Sequence, residues 1–453
     1  MALISLCVVT KNQEELLEAC LNVGRTIADE IIVVDFGSTD KTKEIAKKFT
    51  ANVYDAPWNK DFSAVRNLAL AHATGDWILM LDANETLPPR YLPMLRAFAS
   101  DPDFDAVSFE QKRFTFNTRR PGFIAQPHLT FPGYVTEHVV RFFRNKRDAK
   151  TQKLLIHYSY RVAETVIPSL LEAGARIKAS RIPLHHYEIE GKLLATPQLT
   201  GELLALQVQD TPQDPKVHFD YANHLISEGK ASKEKLTLAI QSLKLAEQHD
   251  AQNILNKGML YYHLGLASFF DGNTTQALFY AQKSLERKST NFVTLLLLGR
   301  LFVLLRDYDH ALAVAAQAKD RQIMHPELLN IAGFSLLQKQ RHKDALATLA
   351  YARKLLVDKK KAGFFDPTLL ELVNNNILTA LLEIGKDQEA VAYMEEAIKQ
   401  SPAVPSYYLN LMQLYLRRGN KEDASGLLKK AKKHKLFAPE IEAQFVKRLE
   451  TLS

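Results

Sequence analysis

Short apolar runs rich in β-branched residues recur through the first 110 positions, and they alternate with stretches whose apolar residues are spaced by three and four. Residues 3–9, 30–35, 51–55 and 77–82 are too short for helices and rich in Ile and Val, which predicts strands. Residues 13–23, 40–49 and 62–74 lie between them with a helical period and predict amphipathic helices. Alternation of strand and helix, with strands apolar along their whole length, predicts an α/β domain built on a mostly parallel sheet covered on both faces. Ligands of such sheets bind beyond the carboxyl ends of the strands, so the polar residues that close each strand are the ones to examine. From about 104 to 190 the alternation fades, apart from a run opening at Arg141 and a short apolar strand at 181–184.

The C-terminal half has a different period. Gly265, Gly299 and Gly333 are 34 residues apart, and Ala277, Ala311 and Ala345 follow each of them by 12. Ala390 and Ala424 resume the 34-residue step after 11 extra residues around 359–367, and Ala318, Ala352, Ala397 and Ala431 each follow one of these alanines by seven. With turns at Gly272, Gly385 and Gly419, this pattern resembles the tetratricopeptide repeat, in which small residues let two antiparallel helices approach. Five repeats run from about 258 to 434, with a degenerate sixth at 217–248. The expected domains are residues 1–190, a polar helical linker over 191–215 containing Pro197, Pro212 and Pro215, and an all-α repeat solenoid over 216–453.

Composition narrows the function classes. At 453 residues the chain is long enough for two or three globular units, and 24% charged with 9% aromatic residues excludes wholesale disorder. The net charge of +7 comes almost entirely from the repeats, and neither a nucleic-acid-binding module nor an aromatic stacking platform accompanies it, so nucleic acid is not an expected partner. Cys7 and Cys20 sit in apolar segments, which suits buried thiols in a reducing compartment. No targeting or membrane-spanning segment is visible in the sequence, and a cytoplasmic location is expected.

Four ordered segments carry the candidate chemistry: Ser5 to Asn12, Asp29 to Asp40, Phe62 to Asn67, and Gly75 to Glu85. Asp35 closes an apolar strand, where an acidic residue has no capping role, and Gly37 permits a tight turn. Ser38 and Asp40 stand where a helix begins; either can be its N-cap or accept from a nucleotide base or ribose. Together the four segments resemble family 2 glycosyltransferases of GT-A type, in the branch followed by tetratricopeptide repeats. The resemblance implies sugar transfer from a nucleoside-diphosphate donor, expected to be a UDP-sugar, with inversion. It implies a donor pocket bordered by Thr10, Lys11, Asn12, Asp35, Ser38, Asp40, Arg66, Asn67 and Asp82, the guanidinium of Arg66 suiting a diphosphate.

Asp82-Ala83-Asn84 occupies the position of the family's Asp-x-Asp motif, which implies Mn²⁺ or Mg²⁺ held by Asp82 and Asn84 with a histidine as third ligand. Asn84 brings an oxygen but no charge. The Tyr160 to Val166 segment aligns with the family's His-Glu pair and keeps only Glu164, beside Ala163; Glu164 is the candidate general base, with Glu137 in reserve. His185-His186-Tyr187 resembles the family's closing motif; neighbouring histidines on a strand point to opposite faces, so at most one reaches the site, and His186 is taken as the metal ligand with His185 as the alternative. The function expected is metal-dependent transfer to a protein or peptide acceptor recruited by the repeats. The alternative is an eroded pseudo-glycosyltransferase serving as an interaction scaffold.

Overall fold

A computed structural model describes residues 2–116, 124, 126, 128–188, 196–227, 231–251, 253, 255–287, 292–361 and 366–451. The chain forms two compact units, one from residues 1–231 and 244–251 and the other from 232–243 and 252–453.

In the first unit the elements run β1 (Ile4–Thr10), α1 (Leu17–Gly24), β2 (Glu30–Asp35), α2 (Thr42–Lys47), β3 (Val53–Asp55), α3 (Phe62–His72), β4 (Trp77–Asp82), β5 (Glu85–Thr86), α4 (Leu92–Ser100), β6 (Ala106–Thr115), β7 (Gly133–Arg144), α5 (Ile167–Glu172), β8 (Ile177–Tyr187), α6 (Pro197–Asp210) and α7 (Pro215–Ser227). The eight strands make one sheet in the order β3-β2-β1-β4-β7-β6-β8-β5. Its first four strands are parallel, as their uninterrupted apolar runs predict, and β7 pairs antiparallel with both β4 and β6. Successive residues of β1 enter different cores: Leu6 and Val8 pack with Leu17 and Leu21 of α1, and Cys7 and Val9 with Phe62, Val65 and Ala69 of α3. The sheet is therefore buried on both faces. Both cysteines are free, buried thiols, and burial pushes their ionisation upward.

The largest difference from the sequence reading lies at 106–144, where β6 and β7 form a long antiparallel pair. Glu110, Lys112 and Arg113 interrupt the apolar residues of β6, whose burial is mixed along its length, so no two-residue period survives in the sequence. Residues 191–195, which open the expected linker, lie outside the described ones; the linker's described part holds α6, N-capped by Thr196 through the Leu199 N–H at 3.2 Å.

In the second unit helices pair as the 34-residue period predicts. α8 (Lys233–His249), divided between the units, is followed by α9 (Lys257–Phe270) with α10 (Thr274–Glu286), α11 (Phe292–Leu304) with α12 (Tyr308–Asp320), α13 (Pro326–Gln338) with α14 (His342–Lys361), α15 (Pro367–Glu383) with α16 (Asp387–Gln400), and α17 (Pro405–Arg417) with α18 (Lys421–Lys433). A further helix, α19 (Pro439–Thr451), packs its Phe445 and Leu449 into the end of this core. The repeating alanines 277, 311, 345 and 390 are fully buried. At Gly265 a Cβ would stand 3.2 Å from the Ala277 carbonyl oxygen and the Ala281 nitrogen, which is why no larger residue fits that crossing. Gly272, Gly385 and Gly419 take left-handed turns, and the equivalent slots of the middle repeats are filled by Arg306 and Gln340 in the same conformation. Much of the insertion around 359–367 is absorbed as helix, since α14 and α15 have 20 and 17 residues against 13 in α10 and α12; residues 362–365 lie outside the described ones. Among the described residues no helix is long and apolar enough to cross a membrane.

One buried polar hub joins four repeat helices, α14 to α17. Asn374 of α15 donates to the Tyr407 hydroxyl (2.7 Å) and accepts from the Tyr393 hydroxyl (2.6 Å) and Arg353 Nε (3.2 Å). Replacing Asn374 with Ala strands the buried Tyr407 hydroxyl and is expected to destabilise the repeats by about 2 kcal/mol or more, read as a lowered urea midpoint. An unchanged midpoint would show that the hub is not a stabilising element.

Candidate functional site

Register places the strand ends together. Thr10 pairs with Asp35 across β1 and β2, and Val9 with Asp82 across β1 and β4, so Thr10, Asp35 and Asp82 close three adjacent parallel strands at one edge. That edge spans about 10 Å at the usual strand spacing. The chain winds from β1 through β2 to β3 on one side and then crosses to β4 on the other side of β1, which makes the crevice a topological switch point.

On the β1–β2 side, Asp35 organises the turn after its own strand. Its Oδ1 accepts the N–H groups of Gly37 (3.0 Å) and Ser38 (2.9 Å), its Oδ2 accepts the Ser38 hydroxyl, and Gly37 takes φ +105°. Ser38 Oγ in turn accepts the Asn12 N–H at 2.8 Å, and Asn12 Oδ1 accepts the Thr39 N–H at 2.8 Å, which pins the two strand-end loops to each other. Lys41 holds the N-cap position of α2 with no side-chain cap, in place of the expected Ser38 or Asp40, and Asp40 before it accepts from Thr42 N at 3.0 Å and from the Thr42 hydroxyl. Burial works to raise its pKa, but these bonds lower it overall. Lys11 Nζ lies 5.7 Å from the centre of the Phe36 ring. Thr10 Oγ1 is buried and has no hydrogen-bond partner among the described residues.

On the β4 side five ionic side chains meet in a buried network. Arg66, on α3, reaches Asp82 Oδ1 (2.8 Å) with Nη2 and Glu164 Oε1 with Nε (2.7 Å) and Nη2 (2.6 Å). Arg141, on β7, reaches Asp82 Oδ2 (3.3 Å) and Glu85 Oε1 (3.1 Å). Glu85, 0% exposed, also accepts from Gln111 Nε2 (2.6 Å) and from the Asp82 N–H (3.0 Å), and its Oε1 stands 3.3 Å from His186 Nδ1. Burial alone would raise the Glu85 pKa, but Arg141 and His186 hold it well below the usual carboxylate range. Burial likewise works against both guanidinium charges, and the facing carboxylates more than restore them. Glu164 arrives here because the backbone turns left-handed at Tyr160 (φ +77°) and Ala163 (φ +53°).

Of the residues singled out from sequence, the structure therefore joins Arg66, Asp82, Glu164, Asn84 and His186 in one cluster, and Asn12, Asp35 and Ser38 in the adjoining turn. Asn67 stands apart, with both amide atoms committed to the Tyr158 backbone at 2.7 and 2.9 Å. The reserve carboxylate Glu137 is exposed and faces Arg113 at 3.3 Å. His185 packs among Phe114, His128 and Tyr187, and burial in that aromatic group lowers its pKa to about 4. Sequence reasoning assigned no role to Arg141 or Gln111. The available signal was a charged residue heading the apolar run Arg141-Phe142-Phe143.

Asp82, Glu85 and His186 each offer a ligand atom within 4.8 Å of the others, the spacing of a metal cluster. The cations already beside them do not fit a divalent metal ion. Asp82 Oδ2 is hydrogen-bonded by Arg141, Asp82 Oδ1 makes no hydrogen bond among the described residues but lies 2.8 Å from Arg66 Nη2, and both Glu85 oxygens are occupied by donors. Asn84 gives its Nδ2 to the Tyr187 carbonyl at 3.0 Å, which fixes the amide orientation and turns N–H, not oxygen, toward His186 Nε2 at 3.3 Å.

A mostly parallel sheet with a polar crevice at its switch point is the architecture of a ligand-binding α/β domain. Residues 5–162 match the model of Glycosyl transferase family 2, and this N-terminal region is a domain of that family, followed by tetratricopeptide repeats. A TPR repeat-containing protein of Synechococcus elongatus is 32% identical over 295 residues, covering 63% of this chain and 66% of that protein. An uncharacterized glycosyltransferase of Rickettsia bellii is 42% identical over 84 residues, 18% of this chain and 28% of its own length. The chain thus spans less than two thirds of these relatives. Among solved structures, Staphylococcus aureus TarS 1-349 in complex with UDP-GlcNAc aligns with TM-score 0.38 and 17% identity, over 62% of this chain and 92% of that one.

Proposed function

We propose that the chain transfers a sugar, with inversion, from a UDP-sugar to a protein or peptide acceptor recruited by its repeats. The observation that supports this most is the convergence of Thr10, Asp35 and Asp82 at one sheet edge beside the buried guanidinium of Arg66. In this reading the Asn12–Asp35–Ser38 turn receives base and ribose, with Lys11 and Asp40 at its border, and the buried cations face the diphosphate. The acceptor hydroxyl or thiol attacks the anomeric carbon, the bond to the diphosphate oxygen breaks, and the proton passes to a carboxylate. Glu164 is that base through Oε2, since both contacts from Arg66 fall on Oε1. A polar cleft of about 370 Å³ between α15 and α17, lined by Asn375, Asn410, Gln413 and Arg417, offers side-chain amides suited to an extended peptide backbone.

The functional boundaries we propose are residues 1–190, 191–215 and 216–453. The two buried thiols favour a reducing, cytoplasmic setting. The Mn²⁺ or Mg²⁺ expected at Asp82, Asn84 and His186 is disfavoured by the donors already on those residues. A scaffold that has lost transfer is the second reading, favoured by Asn84 and Ala163 at positions where the resemblance expects Asp and His. Calorimetric titration of the full chain with a panel of nucleotide sugars separates the two. Binding of at least one UDP-sugar, with slow hydrolysis of that donor, is expected; no binding across the panel would leave the scaffold.

A further inference from the structure

We propose that donor binding in this chain is metal-independent, the positive charge opposite the diphosphate being supplied by Arg141 together with Arg66. The inference rests on the glycosyltransferase reading and adds Arg141, to which the sequence assigned no role.

Charge is the first argument. Asp82 and Glu85 are the two carboxylates of the candidate metal cluster, and the Arg141 guanidinium bridges them through Nη2 at 3.3 and 3.1 Å. Arg66 holds the other Asp82 oxygen and is balanced by Glu164. A divalent cation entering between Asp82, Glu85 and His186 would displace the Arg141 guanidinium from both carboxylates and meet that of Arg66 beside Asp82. The residue that would add a negative charge beside His186 is the neutral Asn84.

Unspent hydrogen-bonding capacity is the second argument. A guanidinium carries five N–H donors. Arg66 Nη1 and Arg141 Nε are buried and find no acceptor among the described residues. The two side chains are only 4% and 10% exposed, and they come from different elements, α3 and β7, that meet at Asp82. A buried donor without an acceptor is costly, and phosphate oxygens are acceptors matched to a planar fork. Arg141 thus serves twice, holding the Asp82 and Glu85 carboxylates in place and presenting charge to the donor.

The test uses the full chain with Mn²⁺ and UDP as probes. Wild-type protein is expected to bind no Mn²⁺ at 100 μM by electron paramagnetic resonance, and to bind UDP with the same affinity, within about two-fold, in EDTA and in Mn²⁺. Stoichiometric Mn²⁺ binding, or a ten-fold loss of UDP affinity in EDTA, overturns the proposal. Arg141→Gln is expected to weaken UDP binding at least ten-fold while Arg141→Lys recovers part of it; full UDP affinity in Arg141→Gln would remove Arg141 from the site. The Mn²⁺ measurement does not depend on transfer, so a chain that binds no nucleotide fails as a glycosyltransferase while the metal question is still answered.

Discussion

Arg66→Met is expected to unfold the chain at markedly lower urea and to reduce sugar transfer at least 100-fold, because one guanidinium performs two separable tasks. Structurally it neutralises Asp82 and Glu164, whose side chains are 9% and 11% exposed. Removing one partner of a buried ion pair leaves the other charge uncompensated, at a cost of about 3–5 kcal/mol. In the proposed reaction it would face the leaving diphosphate, and loss of one such preorganised donor lowers rates by roughly 10²–10³. The double variant Arg66→Met/Glu164→Gln distinguishes the tasks, since the second substitution removes a stranded charge. It should recover part of the urea midpoint and none of the transfer. Recovery of transfer in the double variant would mean that Arg66 acts only by holding the fold. Glu164→Gln alone adds the remaining comparison: the proposed base is lost while Arg66 keeps Asp82, so transfer should collapse with a smaller change in stability.

What the sequence made legible follows from how locally each residue is determined. Asp35 and Asp82 stand out because each ends an uninterrupted apolar run, and parallel register then brings them to the same edge. The repeats were countable because each crossing needs a small residue, so Ala277, Ala311 and Ala345 recur at a fixed interval. The sequence held little to separate His186 from His185, and it is the pairing of β5 with β8 that puts His186 opposite Glu85. The ionic network itself was not legible. Arg66, Glu85, Gln111, Arg141 and Glu164 come from different elements, and pairings between residues up to 98 positions apart leave no period in a single sequence. Nor does any pattern announce that Glu164, reached through left-handed turns at Tyr160 and Ala163, contacts a guanidinium instead of standing alone.

Glu85 gives the second large effect, and its sign with pH can be worked out. The carboxyl is fully buried and its four contacts come from Arg141, Gln111, His186 and the Asp82 N–H. Glu85→Gln replaces one acceptor oxygen with an N–H₂ group that must face donors, and it leaves Arg141 with Asp82 as its remaining partner. A loss of about 3–5 kcal/mol at pH 7 is expected from the broken pair. Burial opposes the Glu85 charge while Arg141 and His186 favour it, with a net lowering of the folded-state pKa. A carboxyl lowered in this way contributes stability that is complete above the unfolded value of about 4.3 and is lost as pH falls toward the folded value. Wild-type stability should therefore drop by up to about 1.4 kcal/mol per pH unit more steeply than that of Glu85→Gln below pH 4. Urea midpoints of the two proteins from pH 7 to 3 would converge if charge is the cause. A gap that stays constant down to pH 3 would assign the loss to packing, and Arg141 would then owe its position to Asp82 alone.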